Sequence, residues 1–177
     1  TGPHLFMEMR YQMWQAMDHA LAVAREADEE FGQMFGRRYG LTEAYHCSDA
    51  DLILVSSGSL VATLREVVED CRARGERIGL LKIRYLRPFP VGESCQALAP
   101  ARQIAGIDRN VSVGMGGVFW QEVRSALYGR GFGQVPVLGF IAGIGGRDVT
   151  PASVEQIIRT ARSNPPQEIP IWVELKV

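Results

Sequence analysis

The spacing of apolar residues changes character after the first third of this chain, and that change divides it. From Phe6 to about Glu30 the apolar positions are Phe6, Met9, Met13, Met17, Ala20, Val23, Ala24 and Ala27. Steps of three and four residues predict an amphipathic helix. Its methionine stripe suits packing on the chain's own core or a neighbouring domain, or a partner-binding face. "FGRRYGLTEAY" (Phe35–Tyr45) reads as an irregular connector.

Beyond it, short apolar runs alternate with helical patterns. "LILVS" (Leu52–Ser56) is continuous, as in a strand covered on both faces. Leu60, Leu64, Val67, Val68 and Cys71 then line one side of a helix that Gly75 stops. "IGLLKIRYL" (78–86) predicts a second strand, ended by the prolines of "RPFP". A short helix around Glu93–Leu98 and a third strand, Gln103–Asp108, follow. "RNVSVGMGG" is a loop, "VFWQEVRSALYG" a helix, "VPVLGFIAG" a fourth strand. "TPASVEQIIRTARS" predicts a helix with Thr150 as N-cap, Pro151 in its first turn, and Val154, Ile157, Ile158 and Ala161 buried. "IPIWVELKV" closes as a last strand. The alternation predicts an α/β fold with a mostly parallel sheet, right-handed crossovers and helices on both faces. The expected division is an N-terminal helix and connector over 1–48 and a compact unit over 49–177.

Composition narrows the function classes. The chain has 177 residues, 46% hydrophobic and 22% charged, enough for one ordinary domain. Net charge is −1, which gives no basis for capture of nucleic acid or an anionic membrane. No run of eighteen apolar residues predicts a membrane span. "TGPHLFMEMRYQ" has no secretion-signal pattern and no initiating Met, so a trimmed piece of a longer, cytoplasmic protein is expected. Cys47, Cys71 and Cys95 have no CxxC spacing and point to inert, reduced thiols. His4, His19 and His46 lack metal-ligand spacing.

Three Gly-rich or polar loops fall at predicted carboxyl ends of strands, where ligands bind in parallel sheets. They are Ser56–Thr63, Asp108–Gly117 and Gly143–Thr150. Each precedes a helix, whose free N–H groups favour anions. Their candidate residues are Gly58, Ser59, Asp108, Arg109, Asn110, Gly116, Gly117, Gly145, Gly146, Arg147 and Asp148. Known spacings fail, however. Gly143 and Gly145 begin G-x-G-x-x-G, but Asp148 stands third; Gly114 and Gly116 begin it, but Phe119 stands third. No Gly-Lys pair exists for a P-loop, and no G-x-S-x-G for a hydrolase. The glycines serve either tight turns or an anion cradle. Arg147-Asp148 reads as an anion clamp, a catalytic pair or a loop tether, and Asp108-Arg109-Asn110 as a functional strand end or a turn brace.

"FGRRYG", "LKIRYLRPFP", "DRNVSVGMGG" and "IAGIGGRDVTP" occur in that order. Over about Met13–Ile158 the chain thereby resembles the C-terminal portion of the alpha subunit of 2-oxoacid:ferredoxin oxidoreductases, the pyruvate:ferredoxin oxidoreductase family. The resemblance implies a transketolase C-terminal-like three-layer α/β/α sandwich, joined through residues 1–48 to a thiamine-binding domain. It implies a parent complex that oxidatively decarboxylates a 2-oxoacid with thiamine diphosphate and magnesium. That complex forms acyl-coenzyme A and passes electrons through iron–sulfur clusters to ferredoxin. Beta, gamma and ferredoxin-like delta subunits are the implied partners in an oligomer. No cofactor is expected on this chain alone. In the family the preceding domain grips the thiamine pyrimidine and the beta subunit's G-D-G holds the diphosphate, and G-D-G does not occur here. Arg84, Arg87, Pro88, Phe89 and Pro90 match the family's "RPFP" corner. Asp108, Arg109, Asn110, Gly114 and Gly117 match its next loop, and Gly143, Gly145, Gly146, Arg147, Asp148 and Thr150 its last. Ser57 departs from the pattern, where a Met is expected. The other reading, from the glycine clusters, is an independent module for a coenzyme A-like anion.

Overall fold

A computed structural model describes residues 2–165 and 167–176. A single sheet has strands β1 (Thr42–Tyr45), β2 (Leu52–Ser56), β3 (Ile78–Ile83), β4 (Gln103–Asp108), β5 (Val137–Ile141) and β6 (Ile171–Trp172). Their order across the sheet is β1-β3-β2-β4-β5-β6, with β1 antiparallel to β3 and the remaining pairs parallel. Helices are α1 (Pro3–Phe35), α2 (Leu60–Ala73), α3 (Val91–Leu98), α4 (Val118–Leu127) and α5 (Pro151–Ser163).

Consecutive residues of a central strand feed two cores. Leu52, Leu54 and Leu80 pack with Leu64, Val68, Val154 and Ile157 of α2 and α5. Ile53, Val55, Leu81 and Ile83 pack with Leu98, Val123 and Leu127 of α3 and α4. Side chains alternate across the pleat, so an unbroken apolar run serves both faces at once. The result is the three-layer α/β/α sandwich expected from the sequence.

Three expectations are corrected. The stretch read as an irregular connector contains β1, whose residues pair with Leu80–Ile83, and Leu41 before it is buried. The strand expected over 78–86 ends at Ile83, opposite Thr42, where its antiparallel partner β1 begins. The last strand shrinks to two residues. Pro170 has no N–H to donate at its start, and the chain turns away at Glu174, whose φ is 56°. Val177 lies outside the described residues.

The N-terminal helix forms, and runs longer than its pattern predicts. Ala, Met, Leu, Gln and Glu dominate it, and Val23 is its sole β-branched residue. Gly36 ends it in the left-handed region (φ 69°), its N–H bonded to Gly32 O at 2.9 Å. No residue of α1 is buried, so the methionine stripe does not pack into this chain's own core.

Candidate functional site

The sheet order reverses between β2 and β4: the chain moves outward from β2 to β3, then returns past β2 to β4. Crevices at such switch points, beyond the carboxyl ends of the strands, are where parallel sheets hold ligands. The loops Ser56–Thr63 and Asp108–Gly117 flank this one, and Gly143–Thr150 follows the next strand, β5. The sequence thus places all three candidate loops at one end of the sheet.

The crevice is occupied by the chain's own side chains. Asp108 ends β4 fully buried, and its carboxylate accepts from the backbone N–H of Phe119 (2.8 Å) and Trp120 (3.1 Å). Asn110 donates to that carboxylate (3.3 Å) and accepts from Val118 N–H (3.1 Å). Together they satisfy the free N–H groups of the first turn of α4, the position an anionic ligand would take. Burial pushes the Asp108 carboxyl above its ordinary range, against the lowering effect of the backbone and Asn110 hydrogen bonds. The Asp-Arg-Asn triplet is therefore a brace for the turn as far as Asp108 and Asn110 are concerned.

Arg109 spans the crevice. It donates to Ser59 Oγ (3.2 Å) before α2 and to Gly143 O (3.4 Å) after β5. One guanidinium thus ties the three loops together while remaining exposed. Gly58 makes the turn before Ser59 with φ 68°.

Close packing explains the glycines nearest Asp108 and Trp120. A Cβ on Gly117 would lie 2.1 Å from Asp108 Oδ2. A Cβ on Gly116 would lie 2.7 Å from the Trp120 ring, one on Gly139 2.5 Å from it, and one on Gly106 3.0 Å from Trp120 Cα. Trp120, 1% exposed, lies across β4 and β5 and donates its indole N–H to Val137 O at 3.0 Å. The sequence pattern marks Trp120 only as part of a helix. Its seat is made by Gly106 and Gly139, which sit in register on neighbouring strands.

The third loop divides. Gly145 (φ 70°) and Gly146 (φ 84°) shape an exposed 3₁₀ turn and touch nothing that a Cβ would meet. Arg147 does not join Arg109. It donates to the backbone oxygen of Glu174, whose carboxylate accepts from Ser153 Oγ. Asp148 is exposed and makes no ion pair with Arg147 among the described residues. The pair is thus separated, with Arg147 in the tether role.

The "RPFP" corner is architectural at Arg84. This side chain bonds Tyr39 O, Thr42 O (3.3 Å) and Glu43. Glu43 also pairs with Arg65 and lies 4.0 Å from Lys82, so one carboxylate anchors β1. Arg87 pairs with Glu122 at 2.6 Å. Pro90 is buried while Pro88 and Phe89 are partly so.

The anion seat at the switch point is already taken. A diphosphate entering at the α4 N-terminus would meet the Asp108 carboxyl already there. Cys71 sits in the core under α2, whereas Cys47 lies in the core on the opposite face of the sheet. One iron–sulfur cluster cannot take both. Among the described residues no group of three or more His, Cys, Asp or Glu is placed to hold a metal ion, and no helix is long and apolar enough to cross a membrane.

Residues 50–154 match the pyruvate:ferredoxin oxidoreductase core domain II. The pyruvate synthase subunit PorA of Methanothermobacter thermautotrophicus is 43% identical over 176 residues, which are 99% of this chain and 44% of that protein. PorA of Pyrococcus furiosus is 38% identical over 160 residues, 90% of this chain and 40% of that protein. The ketoisovalerate oxidoreductase subunit VorA of Pyrococcus abyssi is 36% identical over 156 residues, 88% of this chain and 39% of that protein. The chain thus spans less than half the length of these relatives. A solved 2-oxoglutarate:ferredoxin oxidoreductase from Magnetococcus marinus, with 2-oxoglutarate, coenzyme A and succinyl-CoA bound, superposes with TM-score 0.52 at 16% identity. It covers 73% of this chain and 20% of that one, and the likeness is one of fold. The match to domain II runs through β2, β3, β4, β5 and all three loops, and the chain belongs to the pyruvate:ferredoxin oxidoreductase core domain II family.

Proposed function

We propose that this chain is a structural and assembly domain of the alpha subunit of a thiamine-diphosphate-dependent 2-oxoacid:ferredoxin oxidoreductase. The parent enzyme converts pyruvate or a related 2-oxoacid to acyl-coenzyme A and passes electrons to ferredoxin through iron–sulfur clusters. Residues 1–48 lead toward a thiamine-binding domain while contributing β1 to the sheet, and 49–177 form the rest of the supporting unit. Its partners are the beta, gamma and ferredoxin-like delta subunits of a cytoplasmic oligomer. The observation that carries this reading is the self-filled switch point. Asp108 and Asn110 cap α4 and Arg109 bridges the crevice, so the usual ligand position of the fold serves to lock loops together. The relatives named as subunits of such enzymes support the reaction class.

Isothermal calorimetry of the purified chain with thiamine diphosphate and magnesium is expected to show no heat of binding. Binding at micromolar concentration, or turnover of pyruvate by the chain alone, would overturn the reading.

A second reading rests on one observation. The Arg109 guanidinium is exposed beside Gly58 and Ser59, and Ser59 makes no side-chain cap on α2. Those features suit a coenzyme A-like anion held by an independent module. A thermal-shift titration with coenzyme A decides between the two: a rise in Tm at millimolar ligand, lost in Arg109→Ala, favours the module.

A further inference from the structure

Helix α1 has 33 residues and buries none of them. Its first half carries exposed Leu5 (53%), Phe6 (57%), Met9 (46%), Met13 (57%), Trp14 (65%) and Met17 (44%). At 100° per residue these six spread over roughly 180° of the helix surface, whereas a helix lying on one core shows a stripe of about 100°. Met13, Trp14 and Met17 border an open groove of about 430 Å³ whose other wall is Arg87, Pro88 and Phe89. Leu5, Phe6 and Met9 lie outside that groove. Phe6 falls at the angle of the groove-lining residues and lies beyond them along the axis, whereas Leu5 and Met9 flank that angle on one side and Met7 (74%) and Tyr11 (57%) on the other, so two exposed apolar arcs border the groove-facing line.

A second copy of the chain in a two-fold pairing would cover one side of the helix and leave the other wet. A membrane surface is disfavoured by charge. The helix carries six acidic residues (Glu8, Asp18, Glu26, Asp28, Glu29, Glu30) against two arginines and no lysine, the reverse of an interfacial helix. The relatives point elsewhere. The similarity to Methanothermobacter PorA covers 99% of this chain and so includes α1, yet more than half of that protein lies outside the matched part. The domain II match begins at residue 50 and leaves α1 outside it.

We propose that the Leu5–Met17 stretch of α1, with the groove against Pro88 and Phe89, is the docking surface for a folded unit of the same oxidoreductase. That unit corresponds to the portion of the alpha subunit that this chain does not match, and it grips the helix from two sides. The inference rests on the reading above and specifies which surface does the assembling. Its partner contributes apolar side chains to both arcs and basic ones toward Glu26–Glu30.

The test places a photo-crosslinking amino acid at position 9 or 13 in the oxidoreductase complex purified through a tag on this chain. Cross-links to identified alpha-subunit sequence outside the matched part are expected. Phe6→Asp with Met13→Asp should lose the complex at least tenfold in yield while leaving the Tm of the isolated chain within about 2 °C. Cross-links between two copies of this chain would overturn the inference in favour of self-association. Flotation of the chain with phosphatidylglycerol vesicles would overturn it in favour of a membrane. A complex that oxidises 2-oxoacid with ferredoxin yet gives no cross-link at 9 or 13 would overturn the docking surface and leave the assembly reading standing. Cross-links into a protein unrelated to 2-oxoacid oxidation would overturn both.

Discussion

Asp108, Gly117 and Trp120 form one packed unit, and each explains another. The carboxylate must reach the N–H groups of Phe119 and Trp120, and Gly117 leaves the space for it. Gly117→Ala is expected to destabilise the chain by about 1–3 kcal/mol through overpacking against Asp108. Urea unfolding measures it, and an unchanged midpoint would mean that the carboxylate is not seated there. The titration of Asp108 has a definite sign. Its folded value is raised above the ordinary 3.8 by burial, so the folded state holds this proton more tightly than the unfolded chain. The contribution favours folding below pH 3.8 and is lost as pH rises through the folded value. Asp49 behaves oppositely, because the hydrogen bond from Arg72 (2.8 Å) holds its carboxyl below 3.8. Its contribution is present above 3.8 and disappears as pH falls through its folded value. The stability difference between wild type and Asp108→Asn should therefore decline with rising pH, and that for Asp49→Asn should grow. Two flat profiles from urea titrations across this range would contradict both assignments. Cys47, whose thiol burial pushes up to about 11, should resist thiol reagents at pH 8 until the chain unfolds.

Helices and strands were legible wherever a pattern was long or a cap was chemical. Thr150 accepts from Ser153 N–H at 3.2 Å and Ser153 Oγ accepts from Thr150 N–H at 3.1 Å, a reciprocal cap that the order Thr-Pro foretold in part. Ile157, Ile158, Val154 and Ala161 are buried as the period of α5 requires. β1 is not legible in the sequence because "TEAY" is four residues of mixed polarity, and Arg84, which bonds its Glu43, lies 41 residues further on. The short β6 escaped for the converse reason: its apolar residues suggest a longer strand than Pro170 and the turn at Glu174 permit. The turn before α5 gives a prediction at this scale. Gly146 has φ 84°, where a β-branched side chain is strained, so Gly146→Val should cost about 1–3 kcal/mol. A thermal melt indistinguishable from wild type would refute this.

At the scale of the molecule, the sandwich and the N-terminal helix are nearly independent. The helix touches the rest through Arg25 to Glu93 (2.7 Å), Glu29 to Arg38 (3.3 Å), Asp28 to the Tyr39 N–H (2.8 Å), Phe31 beside the Tyr39 ring (centroids 6.0 Å), and along the open groove. Removing residues 1–35 should leave cooperative unfolding and shift Tm by no more than about 5 °C, as read by circular dichroism. Loss of the cooperative transition would show that α1 supports the sheet. The apolar pattern by itself determined the alternation of elements, the two-sided burial of the central strands and the location of three loops at one sheet end. Those features follow from local period and solvent exclusion, which neighbouring residues carry. Only the tertiary structure decided that Asp108 and Arg109 fill the switch point, that Arg147 turns away to the Glu174 segment, and that Gly106 and Gly139 seat Trp120. These depend on which distant backbone atoms come within hydrogen-bond or van der Waals reach, and sequence spacing does not encode such distances.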